Sequence, residues 1–123
     1  MSKFFKFLTA SLIAVFAIGS LSACSNSAPV DMSRVAAVID VRTPEETAAG
    51  YLEGAMLIDI NGGQFDTQIA MLDKTANYVV YCRSGNRAGQ AIDKMKAAGF
   101  TGVLTNAGSL ADAASSTGLE VVQ

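Results

Sequence analysis

The chain has no histidine and no tryptophan among its 123 residues, and only two cysteines and two prolines. Without histidine it lacks the usual general base near neutral pH and the commonest zinc ligand. Chemistry must therefore come from cysteine, carboxylates, arginine, lysine or the backbone. Charge is sparse as well: 16% of residues are charged and the formal net charge is −2. A nucleic-acid binder would carry a basic excess or stripe, so that class is excluded. No internal repeat is present. What the chain does have is apolar residues, half of the total, enough for the core of one domain of this size.

The first segment is a targeting signal by pattern. Lys3 and Lys6 form a short positive region, followed by an apolar run from Phe7 to Leu21. That run is short for a membrane span and its end is rich in small residues, as in a secretory signal peptide. It closes on Leu21-Ser22-Ala23-Cys24, which resembles a bacterial lipobox. The resemblance implies cleavage before Cys24 and diacylation of that cysteine, hence an exported protein held on the cell envelope by lipid, facing the periplasm or exterior. Two or three acyl chains anchor stably where one does not. Residues 1–23 would then be the signal, 24–34 a polar tether containing Pro29, and 35–123 the domain. Removing the signal takes two lysines and no acid, leaving seven bases against eleven acids, net −4.

The remainder alternates strand and helix patterns. Val35–Val41 reads as a buried strand, and so does Ala55–Ile60. Between them Thr43-Pro44-Glu45-Glu46 opens a helix: Thr43 caps it, Pro44 suits its first position, Glu46 completes a capping box, and Gly50 ends it. Phe65, Ile69 and Leu72 recur at helical spacing. Tyr78–Cys82 is the clearest strand. A turn follows, then a helix from Arg87 to about Ala98, whose stripe of Ala88, Ala91, Ile92, Met95 and Ala98 is core packing. Gly102–Thr105 reads as a short strand, Ser109–Ser115 as a small helix, and Gly118–Val122 as extended tail. Together these predict an α/β domain with a mostly parallel central sheet flanked by helices.

Cys82 stands where a buried strand meets a glycine-containing loop and a helix start. Loop N–H groups can converge there as an anion nest, and the helix N-terminus adds partial positive charge. Arg83 and Arg87 add two full charges. These surroundings favour a thiolate. If Cys24 is acylated, Cys82 has no disulfide partner, and a leftover thiol in an exported protein stands out. Position alone leaves open a small buried hydrophobe; the loop and its two arginines favour function.

Cys82-Arg83-Ser84-Gly85-Asn86-Arg87-Ala88 resembles the active-site loop of the rhodanese family. Asp40-Val41-Arg42 with Pro44-Glu45-Glu46 resembles that family's Asp-Val-Arg and acidic helix. Gly50–Ala55 resembles its Gly-His-Ile-Pro-Gly-Ala segment, with Tyr51 and Glu53 in place of histidine and proline, and Leu119-Glu120-Val121 resembles its closing strand. The resemblance spans roughly residues 36–122 in the family's order. It implies a single rhodanese-like domain that moves a sulfane sulfur from a small anionic donor such as thiosulfate to a thiophilic acceptor, for instance a protein thiol, through a persulfide on Cys82. Residues Arg83, Ser84, Gly85, Asn86 and Arg87 would hold the donor, and Asp40 and Arg42 would support the loops as an ion pair. Neither metal nor organic cofactor is required. Two other readings stay open: a persulfide carrier or docking module without turnover, and a cysteine phosphatase. That family sets five residues between cysteine and arginine, where four intervene here.

The lipobox reading predicts that the protein made in a bacterial host fractionates with membranes, and that Cys24→Ala abolishes acylation in whole-protein mass spectra. An unacylated mature terminus would leave a signal peptide without an anchor.

Overall fold

The computed structural model describes residues 28–123; the segment expected to be a signal peptide, and Cys24, lie outside the described residues. Among the described residues there are six strands: β1 Ala37–Asp40, β2 Tyr51–Leu52, β3 Met56–Leu57, β4 Tyr78–Tyr81, β5 Leu104–Asn106 and β6 Val121–Val122. Four helices accompany them: α1 Pro44–Ala49, α2 Phe65–Ile69, α3 Asn86–Ala97 and α4 Leu110–Thr117. Strands β3, β1, β4 and β5 form one sheet in that order, every pair parallel. A separate antiparallel ribbon pairs β2 with β6, Tyr51 opposite Val122 and Leu52 opposite Val121. The expected α/β architecture with a parallel central sheet and flanking helices is what the chain adopts.

Side-chain alternation along the strands sorts the core into two layers. Ile39 and Val41 of the first strand segment, with Tyr78, Val80 and Cys82 of the next, face Phe65 and Ile69 of α2 and Ala88, Ala91, Ile92 and Met95 of α3. Val38, Val79 and Tyr81 face the other way, against Leu52 of β2 and Ala113 of α4. Local signals set the helices. Thr43 and Glu46 form the capping box of α1, and Ser109 and Asp112 form a second one on α4.

Three expectations need correction. Ala55–Ile60 is not a buried strand: β3 has two residues, Met56 and Leu57, and they are 37% and 44% exposed. It is the sheet edge and pairs only with β1, while the burial signal came from Ile58 and Ile60, which enter the core just beyond it. The strand expected at Gly102–Thr105 begins instead at Leu104. Gly102 crosses so close to the carbonyl of Ala76 that any Cβ would collide with it, and the chain straightens only after that crossing. The end of the supposed tether is part of the domain: Val30 N–H donates to the Ser116 carbonyl at 2.8 Å, and Asp31 caps a 3₁₀ turn over Met32–Arg34. Val30, Met32 and Val35 pack on the second core layer. Their apolar side chains outweigh the polar composition that made the segment read as linker.

Below the ribbon lies a buried ion pair. Asp40, fully buried, accepts from Arg42 Nε at 3.0 Å, from its terminal nitrogen at 2.8 Å and from its backbone N–H at 3.0 Å. The same guanidinium donates to the Gly50 carbonyl at 2.6 Å. Removing one partner of such a pair strands a charge in the interior. Arg42→Met should therefore lower unfolding stability by about 3–5 kcal/mol, read from urea denaturation. A loss under about 1 kcal/mol, the range of a surface pair, would show that the pair does not support the fold.

Candidate active site

Cys82 follows directly on β4. Its N–H donates to the Gly108 carbonyl at 3.0 Å, which continues the sheet's bonding one residue past the strand. Arg83 and Ser84 then carry the chain outward, exposed to solvent. Gly85 reverses it with φ of +96°, a left-handed conformation that disfavours any side chain. Helix α3 starts at Asn86, and no side chain caps it. The first N–H groups of a helix need acceptors from outside it. Here the cysteine sulfur serves: Gly85 N–H donates to Sγ at 2.9 Å and Ala88 N–H at 3.4 Å. The sulfur is in effect the N-cap of a twelve-residue helix, with the helix dipole directed at it.

Two effects compete on the thiol. Burial in the core, where Cys82 has no solvent exposure, pushes its pKa up. Donation from the N–H groups of Ala88, Ser84, Gly85 and Arg87 pulls it down and prevails, so the thiol sits below its ordinary value. The group is thus both shielded from bulk water and biased toward thiolate, the nucleophilic form.

The residues singled out from sequence divide by role. Cys82, Gly85 and the backbone of Arg87 come together in the cradle. Arg83, Ser84 and Asn86 form its exposed outer edge. Asp40 and Arg42 sit on the opposite sheet face from Cys82, as supports. The side chain of Arg87 departs from expectation. It is not a free cation: Glu46 accepts from its two terminal nitrogens at 2.7 and 3.0 Å. Among the described residues Arg83 has no ion-pair partner.

Two contributors were missed. Glu46 was read only as a helix cap. It does accept from Thr43 N–H and Oγ1, at 3.3 and 3.1 Å, but it also ties α1 to α3. Arg87 and the Thr43 donors together lower its carboxyl to about 2 against the opposing effect of burial. Asn106 is the other. Its Nδ2 donates to the Gly85 carbonyl at 2.9 Å, and its Oδ1 accepts the Gly108 N–H at 3.0 Å, so it stitches the loop to the turn that holds Cys82. An asparagine two residues before a glycine is a turn signal; nothing in the sequence tells which loop it would bind. A hollow of about 510 Å³ lies outside the loop between Gly85, Gln90, Asp93 and Asn106. Cys82 does not line it.

Comparison with known proteins follows the same residues. Residues 25–115 match the model of the rhodanese-like domain. Thiosulfate sulfurtransferase PspE of Escherichia coli K12 is 37% identical over 76 residues, covering 62% of this chain and 72% of PspE. The probable adenylyltransferase/sulfurtransferase MoeZ of Mycobacterium tuberculosis is 37% identical over 75 residues, covering 58% of this chain; the chain spans only 18% of that protein's length. A solved rhodanese with anions from E. coli superposes with a TM-score of 0.58 at 31% identity, over 71% of this chain and 96% of that one.

The opposed effects on Cys82 give a measurable outcome. Thiolate absorbance in the ultraviolet, taken as the difference between the protein and Cys82→Ser, should rise with pH through a midpoint below that of an ordinary cysteine, about 8.5. A midpoint at or above that of a free cysteine would mean that burial outweighs the N–H cradle.

Proposed function

The chain belongs to the rhodanese-like domain family, and from that premise we propose that it transfers sulfane sulfur through a persulfide on Cys82. Its relatives include sulfurtransferases, so sulfur transfer in general is the family's chemistry; the nucleophile, the intermediate and the donor are our reading. The observation that carries it is the convergence of Gly85 and Ala88 N–H groups on one sulfur atom at the head of α3.

In the first step the Cys82 thiolate attacks the outer sulfur of a donor such as thiosulfate. A sulfur–sulfur bond forms to Cys82, the donor's own sulfur–sulfur bond breaks, and sulfite leaves with the bonding electron pair. The charge that was on the thiolate now rests on the added sulfur. The same N–H groups, fixed by helix and turn, oppose its loss to water. In the second step a thiophilic acceptor, cyanide in an assay or a protein thiol, takes the terminal sulfur and the thiolate returns. Splitting one difficult displacement into two is covalent catalysis, and no proton need be moved by a histidine.

Phosphatase chemistry fits less well. A phosphoryl group presents three oxygens, and an arginine facing the cradle would have to clamp them. The four-residue spacing makes a small loop, and the Arg87 side chain is bonded to Glu46. In the same reading the lipobox at Cys24 holds this domain on the cell envelope, where the donor and acceptor would be met.

The test uses mass and turnover together. Thiosulfate should add one sulfur to the protein, cyanide should remove it, and Cys82→Ser should do neither. An aryl phosphate should not be hydrolysed. Brisk phosphate hydrolysis lost in Cys82→Ser would replace the reading with a phosphatase, and sulfur delivery to a thiol protein without thiosulfate turnover would favour a carrier.

A further inference from the structure

Charge around the mouth of the cradle is nearly cancelled. The sequence offered two arginines for an anionic donor, yet Arg87 is held by both oxygens of Glu46. Glu46 is not a loose surface partner: the capping box at the head of α1 also holds its carboxylate. Both side chains are about a quarter exposed or less, which limits screening by solvent. Asp59, in the turn after β3, adds a second negative field at Arg87. Arg42 is spent on Asp40 beneath the sheet. Two acids thus stand against Arg87 and Arg83, and the attacking group is itself a thiolate. A dianion entering here meets two carboxylates and a thiolate against two guanidiniums and the partial positive charge of the α3 N-terminus, so a second negative charge on the donor finds little to pair with.

We propose that Glu46, by occupying the Arg87 guanidinium, selects the sulfur donor by charge, so that the site takes sulfane donors with one negative charge or none in preference to the thiosulfate dianion. This rests on the Cys82 persulfide reading and names its donor class: thiosulfonates and thiol persulfides. The chemistry balances for both. With a thiosulfonate, the Cys82 thiolate takes the outer sulfur and a sulfinate leaves. With a thiol persulfide, it takes the outer sulfur with its proton and the donor's thiolate leaves. Glu46 touches neither sulfur. It is a positioning residue that acts through Arg87.

Methanethiosulfonate and thiosulfate deliver sulfur in the same way and differ by one charge, so their kcat/KM ratio isolates the effect. Loss of protein fold or of active fraction cancels from that ratio. Glu46→Gln keeps the capping-box geometry, since glutamine serves there as well, and removes one charge. A unit charge at roughly 6 Å in partly screened surroundings is worth about tenfold per donor charge. The variant should therefore raise the thiosulfate-to-thiosulfonate ratio by about tenfold. A second measurement needs no variant: between low and high salt, thiosulfate turnover by the unaltered protein should hold or rise, because repulsion is being screened.

A ratio unchanged within about twofold in Glu46→Gln, or a several-fold fall of unaltered turnover with salt, would overturn the proposal and return Arg87 to the role of donor clamp. If neither donor adds sulfur to Cys82 in the unaltered protein, the persulfide reading itself fails, which is a separate outcome.

Discussion

The buried pair of Asp40 and Arg42 is the constraint on which the rest of the domain depends. It sits at the carboxyl end of β1, where a parallel sheet exposes its ligand-binding edge. Parallel register sets Asp40 beside Tyr81, the residue before Cys82. From that point the guanidinium reaches the Gly50 carbonyl, at the junction of α1 and β2, and lies 5.8 Å over the ring of Tyr81. The tyrosine oxygen in turn accepts the Leu52 N–H at 3.0 Å, and burial holds its hydroxyl well above the usual phenol range. One ion pair thereby joins β1, the α1–β2 corner and β4. Burying two charges is costly, and the cost is met only because each oxygen and most of the guanidinium hydrogens find partners.

Above this base the two sheet faces do different work. Tyr81 faces the ion pair and the ribbon, while Cys82, one residue on, faces α2 and α3. A strand's period of two makes adjacent residues serve opposite layers. The support and the proposed nucleophile can therefore be neighbours in sequence without competing for space. The sulfur then satisfies helix donors that would otherwise require a capping side chain. Stability of α3 and reactivity of Cys82 are coupled through the same hydrogen bonds.

Glu46 shows how a local device acquires a distant role. As the third residue of a capping box it belongs to α1 by sequence logic. Its second oxygen is left over, and folding brings Arg87, forty-one positions away, within 3.0 Å of it. Loop and helix are pinned together, and a cation that the sequence shows as available is neutralised.

Much of this was legible in the chain itself, wherever the signal was local. The strand Tyr78–Tyr81, the helix after Gly85, the capping box of Thr43 and the thiol at a strand end all follow from periodicity, caps and turn residues within a dozen positions. The Asp40–Arg42 pair was expected from the resemblance of Asp40-Val41-Arg42 to the family's Asp-Val-Arg segment, and Arg42, two residues past Asp40 and beyond the end of β1, does bond to it. Tertiary structure decided what depends on contacts across long separations. It made β3 a two-residue edge, docked Val30 and Met32 on the core, aimed Asn106 at Gly85 and gave Arg87 to Glu46. The physical reason is the same in each case. Propensity and spacing act along the chain, whereas the pairing of charges and the burial of an edge depend on which segments the sheet brings side by side.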